Sequence, residues 1–392
     1  CLSPNGAQET KASGPLDTLL VGTLRGLYVF TRQGDGWDIA GPRMPERHFS
    51  SVLYEPSSKL LFGGCHGYKE AGGLYASADF GNTWEPRMTG LTNEHVYTIA
   101  REEHEGRVTL YAGTEPPALF KSEDLGKTWE ELPALRSVPG TDKWTFPPPP
   151  HIAHVKCMTV HPKQNGTLYV LVEQGALLKT EDGGKTWREL DAYSKDTDSF
   201  YRDVHRAVVS PVDDNHIHLS SGDGLYYTAD GGATWTHQQT RKDRVGYPDG
   251  LFLDPNDDKT VYMGGAGDAP ETWRKNGTAN PGFIVSHDRG KTWKESMDGL
   301  DRPVHGNLEA FAMHSWPGGL AFYAGSAVGD IYASEDGGKS WKKIATNLPP
   351  VSKARHYRHF LAEDDKKRIE NEGRAERRAQ GLDDKEYAPK VV

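Results

Sequence analysis

A chain of 392 residues with 36% hydrophobic residues, 44 glycines and 25 prolines suits many short strands joined by turns and excludes an all-helical bundle. The formal net charge of −9 excludes non-specific nucleic-acid binding, which needs Lys and Arg against phosphates, and three cysteines are too few for a disulfide framework. No apolar run reaches the ~18 residues of a membrane-spanning helix.

In chain order, residues 1–16 are polar and read as a flexible linker. A Cys1 ahead of such a tether has the form of a mature bacterial lipoprotein, which points to export or the cell envelope, with the cytoplasm as the alternative. Residues 17–40 supply three strands and their turns but no innermost strand. From there a repeat takes over. Trp37, Trp84, Trp129, Trp187, Trp235, Trp293 and Trp341 recur about every fifty residues, the sign of a repeat architecture. All but Trp37 close one phrase: SADFGNTW from Ser77, SEDLGKTW from Ser122, TEDGGKTW from Thr180, TADGGATW from Thr228, SHDRGKTW from Ser286 and SEDGGKSW from Ser334. The version ending at Trp37, TRQGDGW from Thr31, is one residue short.

The phrase reads as a hairpin staple. A hydroxyl residue ends one strand, an acidic residue two positions on accepts backbone N–H bonds, and glycine supplies the dihedral that other residues resist. Thr or Ser and then Trp open the next strand, with the ring buried between neighbouring sheets. Two alternating apolar runs precede each phrase, such as TLYAGT and GDIYASED, so each unit holds four short strands. Seven such units, none able to bury both faces alone, close radially into an all-β, seven-bladed β-propeller of four-stranded antiparallel blades over residues 17–363. A last innermost strand is predicted from His356; with nothing after it, it completes the blade opened by residues 17–40, a Velcro closure. Residues 364–392 carry dense alternating charge and read as a solvated helix or disordered tail.

The phrase is the Asp-box, or BNR repeat. From about residue 17 to 363 the chain resembles the Asp-box propellers, a group that includes sialidases, xyloglucan-active glycosidases, the luminal domain of sortilin-type receptors and a photosystem II assembly factor. The resemblance implies the fold and leaves the chemistry open, because in those relatives the box is a structural turn away from the active site. No sialidase-like Arg triad with a late Tyr nucleophile can be assigned here.

In register, the innermost strands start at His48, His95, His154, Asp203, Tyr247, Asn307 and His356. Their third positions are Ser50, Tyr97, Lys156, His205, Asp249, Glu309 and Arg358, which share a face with the first positions, whereas the fifth positions are mostly apolar. Polar groups therefore gather at one end of the central channel. The turns after the second strands add His66, Glu115, Glu173, Asp223 and Asp268 at that end, and the long connection 130–152, with Trp144, Phe146 and Pro147 to Pro150, walls it.

Imidazole is the commonest metal ligand, so His48, His95, His154 and His356 are expected to hold a divalent transition metal (Zn, Mn, Fe or Cu), with His205 as a further ligand or an acid–base group. Asp249 or Glu309 would serve as general base. Lys156 and Arg358, with Tyr97, Tyr247 and Trp144, would bind a small anionic or sugar-derived substrate, unless the two cations neutralise Asp249 and Glu309 in buried ion pairs. The expected function is a metal-dependent hydrolase or lyase. The alternatives are a non-catalytic protein-binding or assembly propeller, a sialidase-like glycoside hydrolase and a copper oxidoreductase.

Overall fold

The computed structural model of the protein describes residues 1–6, 9–66, 72–146, 151–193, 202–353, 356–360 and 367. Pro147 to Pro150, and the predicted tail 364–392 apart from Lys367, lie outside the described residues. The alternating runs form seven antiparallel sheets in chain order around a central channel. The fourth blade is representative, with strands Val155–Val160, Leu168–Val172, Ala176–Thr180 and Arg188–Glu189 hydrogen-bonded consecutively. The innermost strands of the second to seventh blades are Phe49–Glu55, His95–His104, Val155–Val160, Val204–Val209, Tyr247–Asp254 and Leu308–Trp316, within one residue of each predicted start. Among the described residues no helix is long and apolar enough to cross a membrane.

The Asp-box turns work as their chemistry suggests. In the fourth blade Thr180 ends its strand, and its Oγ1 accepts the Gly184 N–H at 2.9 Å. Asp182 Oδ1 accepts from the Thr186 N–H at 2.9 Å, and Asp182 Oδ2 from the Thr186 hydroxyl at 2.6 Å. Those bonds favour the charged form, and the Asp182 carboxyl is pulled down to about 2. Gly184 sits at φ 90°, where a Cβ would be strained. Each box tryptophan then wedges between blades: the Trp341 Nε1–H donates to Ser296 O at 2.9 Å, and its ring meets Phe283 of the preceding blade at 5.0 Å, edge to face. The turn should tolerate little change. Thr180→Val leaves the buried Gly184 N–H unpaired and is expected to cost about 1–3 kcal/mol in urea unfolding.

Closure joins the two ends of the chain, by a different route from the one expected. The first blade has three strands, Thr18–Thr23, Gly26–Gln33 and Gly36–Arg43, and Leu2 lies parallel to its inner edge in a bridge with Val21. Glu9–Lys11 adds in parallel to Leu308–Trp316 as a fifth strand of the seventh blade. Trp37 packs edge-on against Tyr323 of that blade at 6.3 Å, the wedge seen elsewhere. Two expectations are thereby corrected. Residues 1–16 do not form a free linker, since Leu2, Ser3 and Asn5 are buried. Nor does an innermost strand start at His356: His356–Phe360 is a 3₁₀ turn, and the inner edge of the first blade, where such a strand would pair, carries Leu2.

Candidate functional site

The first and third positions of the inner strands meet at one end of the channel. Two aromatic positions build its sides: Tyr97 stacks on His154 with ring centroids 3.8 Å apart, and Tyr247 packs edge-on to His205 at 4.6 Å. Beside them runs a line in which imidazole and ammonium groups alternate with carboxylates. His66 Nε2 is 3.3 Å from Glu115 Oε1, His154 Nδ1 is 3.4 Å from Glu115 Oε2, and His154 Nε2 is 2.6 Å from Glu173 Oε2. Lys156 donates to the other Glu173 oxygen, Oε1. On the far side Lys353 Nζ is 2.5 Å from Asp249 Oδ1, while the Lys353 N–H and the Ser352 hydroxyl each donate to Glu309 Oε2 at 2.8 Å.

Burial sets the titration behaviour. It would push the carboxyl of Glu115 up, but hydrogen bonds from His154 and His66 prevail and hold it down at about 2. Glu173 is buried as well, and the charges of Lys156 and His154 keep it well below the usual carboxylate range. For His154 burial opposes the charge, yet the two flanking glutamates raise its pKa. The ring lies between two carboxylates, which favour its charged form. His48 has no such support, and burial drives it down to about 3.

The four histidines expected to share one metal do not converge. Among the described residues, one group of three offers ligand atoms all within 4.8 Å of one another: Glu173, Asp203 and His205. Both nitrogens of His154 face glutamates, which removes it as a ligand. His48 Nε2 lies 3.2 Å from Ser352 O, His95 is half-buried with its ring 5.1 Å from that of His66, and His356 Nδ1 is 3.3 Å from Glu309 Oε1.

In the group of three, every outer atom is already fixed. His205 Nδ1 must carry its proton, because it donates to Pro248 O at 2.7 Å. The Tyr247 hydroxyl donates to Asp203 Oδ2 at 3.0 Å, and His154 holds Glu173 Oε2. The inner atoms face each other: His205 Nε2 is 3.5 Å from Asp203 Oδ1 and 3.9 Å from Glu173 Oε1, and Nε2 has no hydrogen-bond partner. Two metal–ligand bonds of about 2.1 Å span at most about 4.2 Å, and both separations from His205 Nε2 fall within that reach, so a nitrogen and two carboxylate oxygens form a group that could hold a small divalent cation.

The other expected residues divide. Asp249 lies in the cluster, with Oδ2 buried and unpaired. Glu309 anchors the Ser352–Lys353 segment. Lys156 forms a buried ion pair with Glu173, a different carboxylate from the expected Asp249 and Glu309. Arg358 sits in the 3₁₀ turn and not on an inner strand. Trp144 lines a pocket of about 310 Å³ with Pro116, Pro117, Arg136, His151 and Ala153, adjoining Glu115 and His154 along the chain. The Asp223 carbonyl meets His237, and Asp268 bonds to Trp273, Asn276 and Asn280. Lys353 was not foreseen, for it lies in a segment outside the repeat, where no register points at it.

Comparison with known proteins bears on the fold and the family. Residues 137–369 match the family described as DUF6242 beta propeller domain, and residues 119–132 match the BNR-Asp box repeat. A probable oligoxyloglucan-reducing end-specific xyloglucanase of Neosartorya fischeri is 25% identical over 198 residues, which cover 47% of this chain and 23% of the relative. The photosystem II assembly lipoprotein Ycf48 of Synechococcus is 26% identical over 255 residues, 57% of this chain and 69% of the relative. The crystal structure of an ancestral GH74 enzyme matches with a TM-score of 0.57 at 17% identity, over 76% of this chain and 38% of that one. The chain thus spans about a quarter of the length of the xyloglucanase it matches. With a match over more than half of its length, it belongs to the DUF6242 beta propeller domain family, as an Asp-box propeller related to xyloglucanases and to Ycf48.

Proposed function

We propose that the chain is a metal-dependent enzyme, a hydrolase or lyase acting on a small molecule at the channel end, with Glu173, Asp203 and His205 as the metal ligands. One observation carries this reading: each of the three has its outer atom held by Tyr247, Pro248 or His154, while its inner atom points at the other two. Outer partners of this kind orient ligands and fix the histidine tautomer. A divalent cation bound there would supply Lewis acidity and lower the pKa of water towards ~7.

The protein's own groups supply the rest. Asp249 is the proton acceptor, since its Oδ2 is buried without a partner while Lys353 on Oδ1 keeps the carboxylate ionised. The pocket beside Trp144 takes the substrate's less polar part. The cell envelope as the place of action belongs to the same proposal, supported by the lipoprotein named among the relatives.

Elemental analysis and thermal unfolding test the reading. The purified chain is expected to retain a divalent metal, or to melt several degrees higher when Zn or Mn is added, and His205→Ala is expected to abolish either response. Absence of metal together with an unchanged melting temperature would overturn the proposal. A second reading, a non-catalytic assembly module, draws support from the Ycf48 relative, because the match covers 69% of that protein. It predicts a His205→Ala variant with unaltered partner binding.

A further inference from the structure

We propose that Lys156 is a resident cation that occupies the metal's place on Glu173 in the metal-free protein and thereby sets how tightly a divalent ion binds. The inference rests on the metal-site reading above and concerns the affinity of that same site.

Glu173 has one oxygen to offer. Its Oε2 is taken by His154 at 2.6 Å, which leaves Oε1, the atom facing His205 Nε2 at 3.9 Å. Lys156 donates to that same Oε1. Both side chains of the pair are buried, so water cannot screen a divalent ion from an ammonium on a shared oxygen. The ion and the ammonium therefore exclude each other. The long stem of lysine lets its head withdraw, with Asp249 and Asp203 near enough to attract it.

This arrangement meets two needs at once. A cluster of the buried Glu173, Asp203, Asp249 and Glu309 beside the partly exposed Glu115 would repel itself if it were empty of cations. Lys156 offsets part of that charge, together with Lys353 on Asp249 and His154 between Glu115 and Glu173. The Lys156 charge then has to be displaced, which weakens binding and favours ions of high charge density. A lysine that served the fold alone would have no such effect on metal affinity.

The test is calorimetric titration of the chelator-treated full chain with Mn and then Zn, comparing wild type with Lys156→Met and Lys156→Arg. The Met variant removes the charge and nearly keeps the volume. It is expected to melt at a lower temperature without metal, and to bind metal with a Kd lower by about tenfold or more. The Arg variant is expected to bind no tighter than wild type. If wild type binds metal and Lys156→Met binds equally or more weakly, the competition is refuted while the metal-site reading stands. Binding by the Met variant alone supports the competition and overturns the native metal enzyme. If neither binds, both fall, and His205→Ala serves as the blank that defines binding at this site. Should Lys156→Met fail to fold, Lys156→Gln repeats the measurement, and an unchanged Kd there overturns the proposal.

Discussion

Replacing Glu173 with alanine is expected to destabilise the protein by about 3–5 kcal/mol and to abolish divalent-metal binding. Glu173 is the hub of the cluster: one oxygen receives His154 and the other Lys156, and all three side chains are buried. Removing the carboxylate strands the buried Lys156 ammonium and leaves His154 with Glu115 as its one carboxylate neighbour of the pair. The penalty arises chiefly from the stranded charge and not from the intrinsic worth of the ion pairs, because buried pairs are expensive to desolvate in the first place. A double-mutant cycle separates the two contributions. Glu173→Ala combined with Lys156→Met should recover a substantial part of the loss in urea unfolding, since one stranded charge is removed with its partner. Strict additivity of the two substitutions would contradict the geometry.

Acid should unfold the protein through the same cluster. The Glu115 carboxyl falls from its ordinary 4.5 to about 2 in the folded state. A lowered folded-state pKa means that its stabilisation is complete above 4.5 and is lost as pH drops towards 2. Converted at ~1.36 kcal/mol per unit, this amounts to about 3 kcal/mol of acid-labile stability from one residue. Glu173 is shifted in the same direction and steepens that limb. His154 acts at the other end. Its pKa is raised, so its contribution is complete below its ordinary 6.5 and is lost as pH rises through the higher folded value. Denaturant midpoints measured from pH 2 to 9 should therefore fall away on both sides of a mildly acidic plateau. Glu115→Gln should flatten the acid limb; a variant with the wild-type slope would show that Glu115 carries none of it.

Some of the site was readable from residue order and some was not. His154, Lys156, His205, Asp249 and Glu309 were placed correctly at one end of the channel because alternation along a strand fixes which side chains share a face. Six strand starts held, so six pairs of positions did too. What residue order could not give was which of them pair. His154 looks like a ligand in a list of histidines, yet both of its nitrogens face carboxylates, Glu115 on one side and Glu173 on the other. His205 looks like an acid–base group, yet the Pro248 carbonyl fixes its tautomer and turns its free nitrogen towards Asp203 and Glu173. The closing segment differs for a similar reason: His356 continues the column in residue order, but the first blade's inner edge that it would pair with carries Leu2.

The sequence by itself determined the architecture. Six Asp-boxes encode local turns, each completed by residues within eight positions of one another, so no knowledge of distant contacts is needed to count the blades. Tertiary structure decided everything that depends on neighbours from different blades. Hydrogen bonds and ion pairs over one or two repeats, such as Tyr247 to Asp203 or Lys353 to Asp249, depend on angles and separations of a few ångströms that no local pattern encodes. The same composition of histidines and carboxylates therefore becomes a line of ion pairs on one side of the channel and a compact group of three that could hold a metal beside it.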